Sequence, residues 1–137
     1  MQGFRSVSPK SRRGRASDYD PRSVRIVKGV ENKKTKIRIH LGEEVMRQAK
    51  YRVGDRMDVQ FSESSPRMAL VTKTNSGEGW SLCAPEGTNK WRGKFKRAYV
   101  AFTPSAEELT IFFPNGKSNY DAANVRIEDE GVLFDIG

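Results

Sequence analysis

TKIRIHLGEEVMRQAKYRVGDRMDVQF, residues 35–61, carries the clearest pattern in the chain. Ile37, Ile39 and Leu41 alternate with Lys36, Arg38 and His40, the period of a strand with one face buried. Gly42 ends the run, and Glu43 and Glu44 supply the negative charge that a helix N-terminus favours. Val45, Met46 and Ala49 form a short apolar stripe at helical spacing, with Arg47 and Lys50 toward its C-terminal end. Gly54-Asp55 is a turn signal, after which Met57, Val59 and Phe61 alternate again. The stretch therefore reads strand, helix over 43–50, turn, strand. A bend at Ser62 to Pro66 leads into a further strand over 68–73.

Working outward, residues 23–30 read as a first strand that forms a hairpin with the Ile37 strand through the polar turn 31–34. Lys33, Lys34 and Lys36 gather at that hairpin end, where a solvated turn and a set of phosphate contacts are both consistent readings. Residues 1–22 are rich in Ser, Arg, Gly and Pro and hold too few apolar side chains to offset the entropy of ordering. They read as a disordered basic arm. Arg12, Arg13 and Arg15 serve there either as solubilising charge or as phosphate and minor-groove contacts.

Beyond residue 74 the pattern is strand and turn. Residues 80–84 form a short strand, 98–103 a longer one, and the turn 104–108 is expected to return the chain as a strand over 109–113. A last hairpin pairs 125–127 with 132–136 around Glu128-Asp129-Glu130-Gly131. Between them lies a second basic concentration, with Lys90, Arg92, Lys94, Lys96 and Arg97 threaded by Trp91, Phe95 and Tyr99. Cations among rings suit single-stranded nucleic acid, the rings stacking on bases and the cations holding phosphates. Burial of the same rings in the core is the competing and favoured reading, because small β domains bury their few aromatics.

Charge is divided along the chain. Residues 1–60 hold 16 Lys/Arg against 7 Asp/Glu, residues 61–97 hold 7 against 3, and residues 98–137 hold 2 against 7. The net of +8 and a pI near 9.8 point to a polyanionic partner. At 137 residues with a mean hydropathy of −0.71, the chain supports one modest core plus tails. No apolar run reaches the roughly 20 residues of a membrane span, and the N-terminal stretch lacks the apolar core of a secretory signal. Cys83 and His40 are each the only residue of their type, which argues against a disulfide and a zinc site. A cytoplasmic protein without cofactor is expected. There is no G-x-S-x-G, P-loop or H-E-x-x-H, and Asp55 and Asp58 suit a turn and a strand face better than a metal-dependent nuclease. The reading is of a non-enzymatic protein.

The order strand, short helix, Gly-Asp turn and hairpin resembles the swapped-hairpin DNA-binding domain of AbrB-type transcription regulators and antitoxins. Ile37-Arg38-Ile39, residues 43–50, Val53-Gly54-Asp55 and Met57-Asp58-Val59 carry the resemblance. It implies a homodimer with interleaved hairpins that presents arginines and lysines to duplex DNA.

The expected fold is α+β, mostly β: a small, barrel-like, hairpin-rich domain with one short helix. The domain plan is the arm 1–22, a basic strand-helix-strand region 23–74, and a hairpin-rich region 75–137 packed on the same domain. The leading function is duplex-DNA binding and transcriptional regulation through Lys33, Lys34, Lys36, Arg38, Arg47, Lys50, Arg52 and Arg56. The alternatives are single-strand DNA or RNA binding through 90–99, and a protein that blocks or remodels a larger machine, contacting it through the acidic C-terminal region.

Overall fold

The computed structural model describes residues 20–64, 67–75, 77–84, 97–114 and 116–137. Nine strands and two helices alternate through them. The strands are β1 (Val24–Glu31), β2 (Lys34–Gly42), β3 (Arg56–Ser62), β4 (Met68–Lys73), β5 (Trp80–Cys83), β6 (Arg97–Phe102), β7 (Asn119–Asp121), β8 (Ala123–Glu128) and β9 (Gly131–Asp135). The helices are α1 (Glu43–Ala49), between β2 and β3, and α2 (Ala106–Phe112), between β6 and β7. All nine strands join one antiparallel sheet in the order β7-β1-β2-β6-β5-β3-β4-β9-β8. The two outermost strands, β7 and β8, are joined by the single residue Ala122, so the sheet curls into a nearly closed barrel. A mostly β, barrel-like α+β fold is what the sequence pattern implies.

Alternation sorts the side chains. Val24 and Ile26 of β1, Ile37, Ile39 and Leu41 of β2, and Ala98, Val100 and Phe102 of β6 point into the barrel and are buried. Met57, Val71, Leu82, Val132 and Phe134 complete the interior from the other strands. Helix α1 packs against β2, β6, β8 and β9, burying Val45 and Met46 at one end of the barrel. Helix α2 leaves from the opposite end of β6 and buries Ile111 and Phe112.

Three expectations need correction. The return strand at 109–113 is the helix α2, so the described residues hold two helices and not one. Ser105 begins it with a capping box: its hydroxyl accepts from the Glu108 N–H at 3.1 Å, while the Glu108 carboxylate accepts from the Ser105 N–H at 2.9 Å. The Ser-x-x-Glu spacing satisfies two otherwise orphaned donors, which favours a helix over a turn. Second, the polar stretch before residue 125, where the sequence shows no strand pattern, contains the short strand β7. Its Asn119 and Asp121 side chains accept from Arg25 at 2.8 and 3.3 Å.

Third, Asp20 to Arg22 do not belong to a free arm. The Pro21 carbonyl accepts from the Glu44 and Val45 N–H groups at 2.8 and 3.3 Å, capping a helix that has no side-chain cap. This contact requires Gly42, because a Cβ there would stand 2.3 Å from the Pro21 oxygen. Gly42→Ala should therefore destabilise the protein by about 1–3 kcal/mol in chemical denaturation. Gly29→Ala, where a Cβ meets nothing within 4 Å, should stay within about 0.5 kcal/mol of the parent.

Tyr51 locks the end of α1 to the sheet. Its hydroxyl donates to the Val71 carbonyl at 2.9 Å, beside Gly131, whose backbone approaches too closely for any side chain. Burial pushes the Tyr51 phenol above its ordinary value of 10, and burial does the same to Tyr120. A raised folded value means the folded state holds the proton more tightly. The contribution is complete below pH 10 or so and is lost as pH rises through the raised value. Unfolding free energy should fall on alkaline titration, and Tyr51→Phe should flatten that fall while costing about 1 kcal/mol at neutral pH.

Candidate nucleic-acid interface

Strand β2 is paired on both sides, with β1 and with β6, and its polar residues face outward. The register sets Arg25 opposite His40 and His40 opposite Tyr99, with Arg38 one step along between Val27 and Ala101. The Arg38 guanidinium lies 4.6 Å from the Tyr99 ring centre, and the His40 ring centre is 5.3 Å from it. Tyr99 is thus on the outer face of the barrel and is not a core ring. The favoured sequence reading fails there because β6 buries the other phase of its alternation: Ala98, Val100 and Phe102. Trp91 and Phe95 lie outside the described residues, as do Arg12, Arg13, Arg15, Lys90, Arg92, Lys94, Lys96 and the Arg97 side chain.

The β1–β2 hairpin outruns its neighbours. Strand β6 pairs with β2 only from Ile37 to Gly42, and β7 pairs with β1 only from Arg25 to Val27. Gly29 to Glu31 and Lys34 to Lys36 therefore form a two-stranded ribbon without a third strand among the described residues. Lys34 and Lys36 are on its outward face, and Lys33 is at the tip. Asn32 and Lys33 both have positive φ, 51° and 66°, as a two-residue hairpin turn with matching twist requires. Asn suits this geometry. A lysine at the second position suits it less well than glycine.

The remaining predicted cations are elsewhere. Strands β6 and β5 lie between β2 and β3 in the sheet, so the two strands adjacent in sequence are not adjacent in space. Arg47 donates to Glu44 from α1, with Gln48 donating to the same carboxylate at 2.9 Å. The Arg47 bond, then that from Gln48, holds Glu44 below the ordinary carboxylate range. Lys50 follows α1 and lines a recess with Lys73 and the acidic turn Glu128, Asp129 and Glu130. Arg56 donates to the Gly79 carbonyl at 2.9 Å. Arg52 is exposed in the turn whose N–H is held by Asp55 at 2.8 Å, and Asp55 also faces Lys73 at 3.5 Å. The helix-side charges are thus dispersed, Arg47 on Glu44, Arg56 on the Gly79 carbonyl and Lys50 beside the acidic turn, whereas Lys33, Lys34, Lys36 and Arg38 share one hairpin. Arg38 itself pairs with Glu31 of that hairpin.

Two features of this surface escape sequence reasoning. Arg25 flanks His40 on the outer face, and Lys28 places its ammonium 5.3 Å from the Phe113 ring centre at the base of the ribbon. Both sit in a strand whose alternation is legible, but their neighbours come from β2 and α2. No cluster of three or more metal-ligating side chains occurs among the described residues, and no described helix is long and apolar enough to cross a membrane. Comparison of the chain with protein-family models, with curated proteins and with solved structures finds no match.

The turn yields a test. Lys33→Gly should relieve the left-handed backbone and raise stability by up to about 1 kcal/mol, read from the denaturation midpoint. A drop in stability would show that the lysine side chain contributes to the fold.

Proposed function

We propose that the protein binds nucleic acid through the outward face of β2 and the ribbon beyond it, and that its preferred form is single-stranded. The observation that carries this reading is an aromatic ring on a basic sheet face: Tyr99 beneath Arg38, in line with His40 and Arg25. An unpaired base can take the place of the Arg38 guanidinium over the Tyr99 ring, and Lys34 and Lys36 continue the same face as partners for phosphates. Duplex DNA asks for cations spread over a broader surface. The helix-side set proposed for it is interrupted by Glu44 and by the acidic turn 128–130.

A second reading has its own support. A two-stranded ribbon matches the width of a DNA major groove, and this one carries lysines at its tip and on its outward face. In that reading the AbrB-like order of elements goes with a homodimer, whose melting temperature rises with protein concentration.

Anisotropy titrations of labelled single-stranded and duplex oligonucleotides at two salt concentrations separate the two. Single strands should bind more tightly, and Tyr99→Ala should cost about 1–3 kcal/mol of that binding while Tyr99→Phe preserves it. Lys34→Ala and Lys36→Ala should each lower the salt slope by about 0.7. Duplex preference with no effect of Tyr99→Ala would transfer the function to the ribbon alone. Absence of binding to every oligonucleotide would refute both.

A further inference from the structure

Four large apolar side chains are substantially exposed among the described residues: Val30 at 73%, Trp80 at 41%, Val53 at 38% and Phe61 at 36%. They are far apart in sequence, yet the register brings three of them to one rim of the barrel. Lys28, Ile37, Phe102 and Met57 form one line across β1, β2, β6 and β3, with Trp80 of β5 completing it beside Met57. Val30 on β1 and Phe61 on β3 lie past that line in the same direction, because their strands run the same way.

The rings are not isolated. Trp80 lies 6.3 Å from Phe102 between ring centres, Phe102 5.7 Å from Phe112, and Phe112 5.9 Å from Phe61. Phe112 is fully buried and supports the other rings from α2. Trp80 and Phe61 are therefore the outer members of a packed aromatic series, fixed from below. On one side of this rim is the basic ribbon with Lys28, Lys33, Lys34 and Lys36. On the other, Glu63 follows Ser62 at the end of β3. That asymmetry orients a polyanion: its phosphates toward the lysines, its bases toward the rings.

We propose that Trp80, seconded by Phe61, forms a base-stacking position for an unpaired nucleotide at the barrel rim, separate from Tyr99 on the outer face. A single strand lying along the ribbon would then meet Tyr99 on the outer face of β6 and Trp80 and Phe61 at the rim beyond it. The inference rests on the single-strand reading above. It adds residues that alternation alone assigns to the barrel interior, since Trp80 and Phe61 continue the inward phases of Leu82 and Met57.

The test uses the full chain carrying Trp91→Phe, which leaves Trp80 as the only tryptophan. Oligothymidylate, longer than a site of roughly 4–16 nucleotides, is titrated while Trp80 fluorescence and the anisotropy of a labelled copy are followed together. Quenching of Trp80 should saturate with the anisotropy. Trp80→Ala should weaken binding about 5- to 150-fold, Trp80→Phe much less, and an abasic oligonucleotide should leave Trp80 of the parent unquenched. Anisotropy that saturates with Trp80 unquenched overturns the rim position and leaves the general reading standing. If no oligonucleotide changes the anisotropy even at low salt, the rim position and the general reading fall together. The quenching arm needs no change at Trp80, so the outcome holds even where Trp80→Ala loosens the fold through Phe102.

Discussion

Strand β2 is held between two antiparallel partners, and its register decides both what the barrel contains and what it shows. Ile37, Ile39 and Leu41 are fully buried against β1 and β6, while Lys36, Arg38 and His40 are carried to the outer face by the same pleat. Because side chains alternate with period two, a slip of one residue would put three cationic or titratable groups in the core. Burial of the aliphatic face is worth about 1.5–3 kcal/mol per side chain, so the register is strongly held and the basic face is presented as a consequence. The end of β2 is equally constrained. Gly42 brings the Pro21 carbonyl onto the first N–H groups of α1, which ties the start of the described chain to the helix that covers one end of the barrel.

The distribution of charge follows from sheet order. Insertion of β6 and β5 between β2 and β3 separates the cations of the hairpin from those that follow α1. The acidic turn at the β8–β9 hairpin then sits beside Lys50 and Lys73, and Asp55 faces Lys73. Exposed pairs of this kind contribute little to stability, but they determine which cations remain available to a polyanion. Among the described residues the β1–β2 ribbon groups Lys33, Lys34 and Lys36, with Lys33 in a backbone conformation that glycine would adopt at lower cost.

Aromatic side chains divide by the phase of their strand. Tyr99 falls on the outward phase of β6 and meets Arg38 and His40, while Phe102 falls on the inward phase of the same strand. Trp80 and Phe61 are inward in phase, but Trp80 is the first residue of β5 and Phe61 lies beyond the part of β3 that β5 pairs, so their rings emerge at the rim instead of being enclosed. Helix α2, nucleated by the Ser105–Glu108 capping box, supplies the buried Phe112 on which that rim is built.

The local elements were legible in the residues: the alternation of 37–41, the helix after Gly42, the turn at Gly54-Asp55 and the strands 57–61 and 68–73 each rest on short-range periodicity and turn chemistry. So was the mostly β class. The reading of 109–113 as a strand missed a signal that was present, Ser105-x-x-Glu108, because five apolar-rich residues after a turn fit either period. Other features had no local signal. Pairing of β2 with β6 spans some sixty residues of chain, the cap on α1 is a backbone carbonyl from Pro21, and the grouping of Arg25, Arg38, His40 and Tyr99 exists only once three strands are in register. Sequence by itself determined which residues alternate and how much positive charge the chain carries. Only the tertiary structure decided which strands become neighbours, because that choice is made by the joint burial of side chains distant in sequence, and with it which cations and rings share a surface.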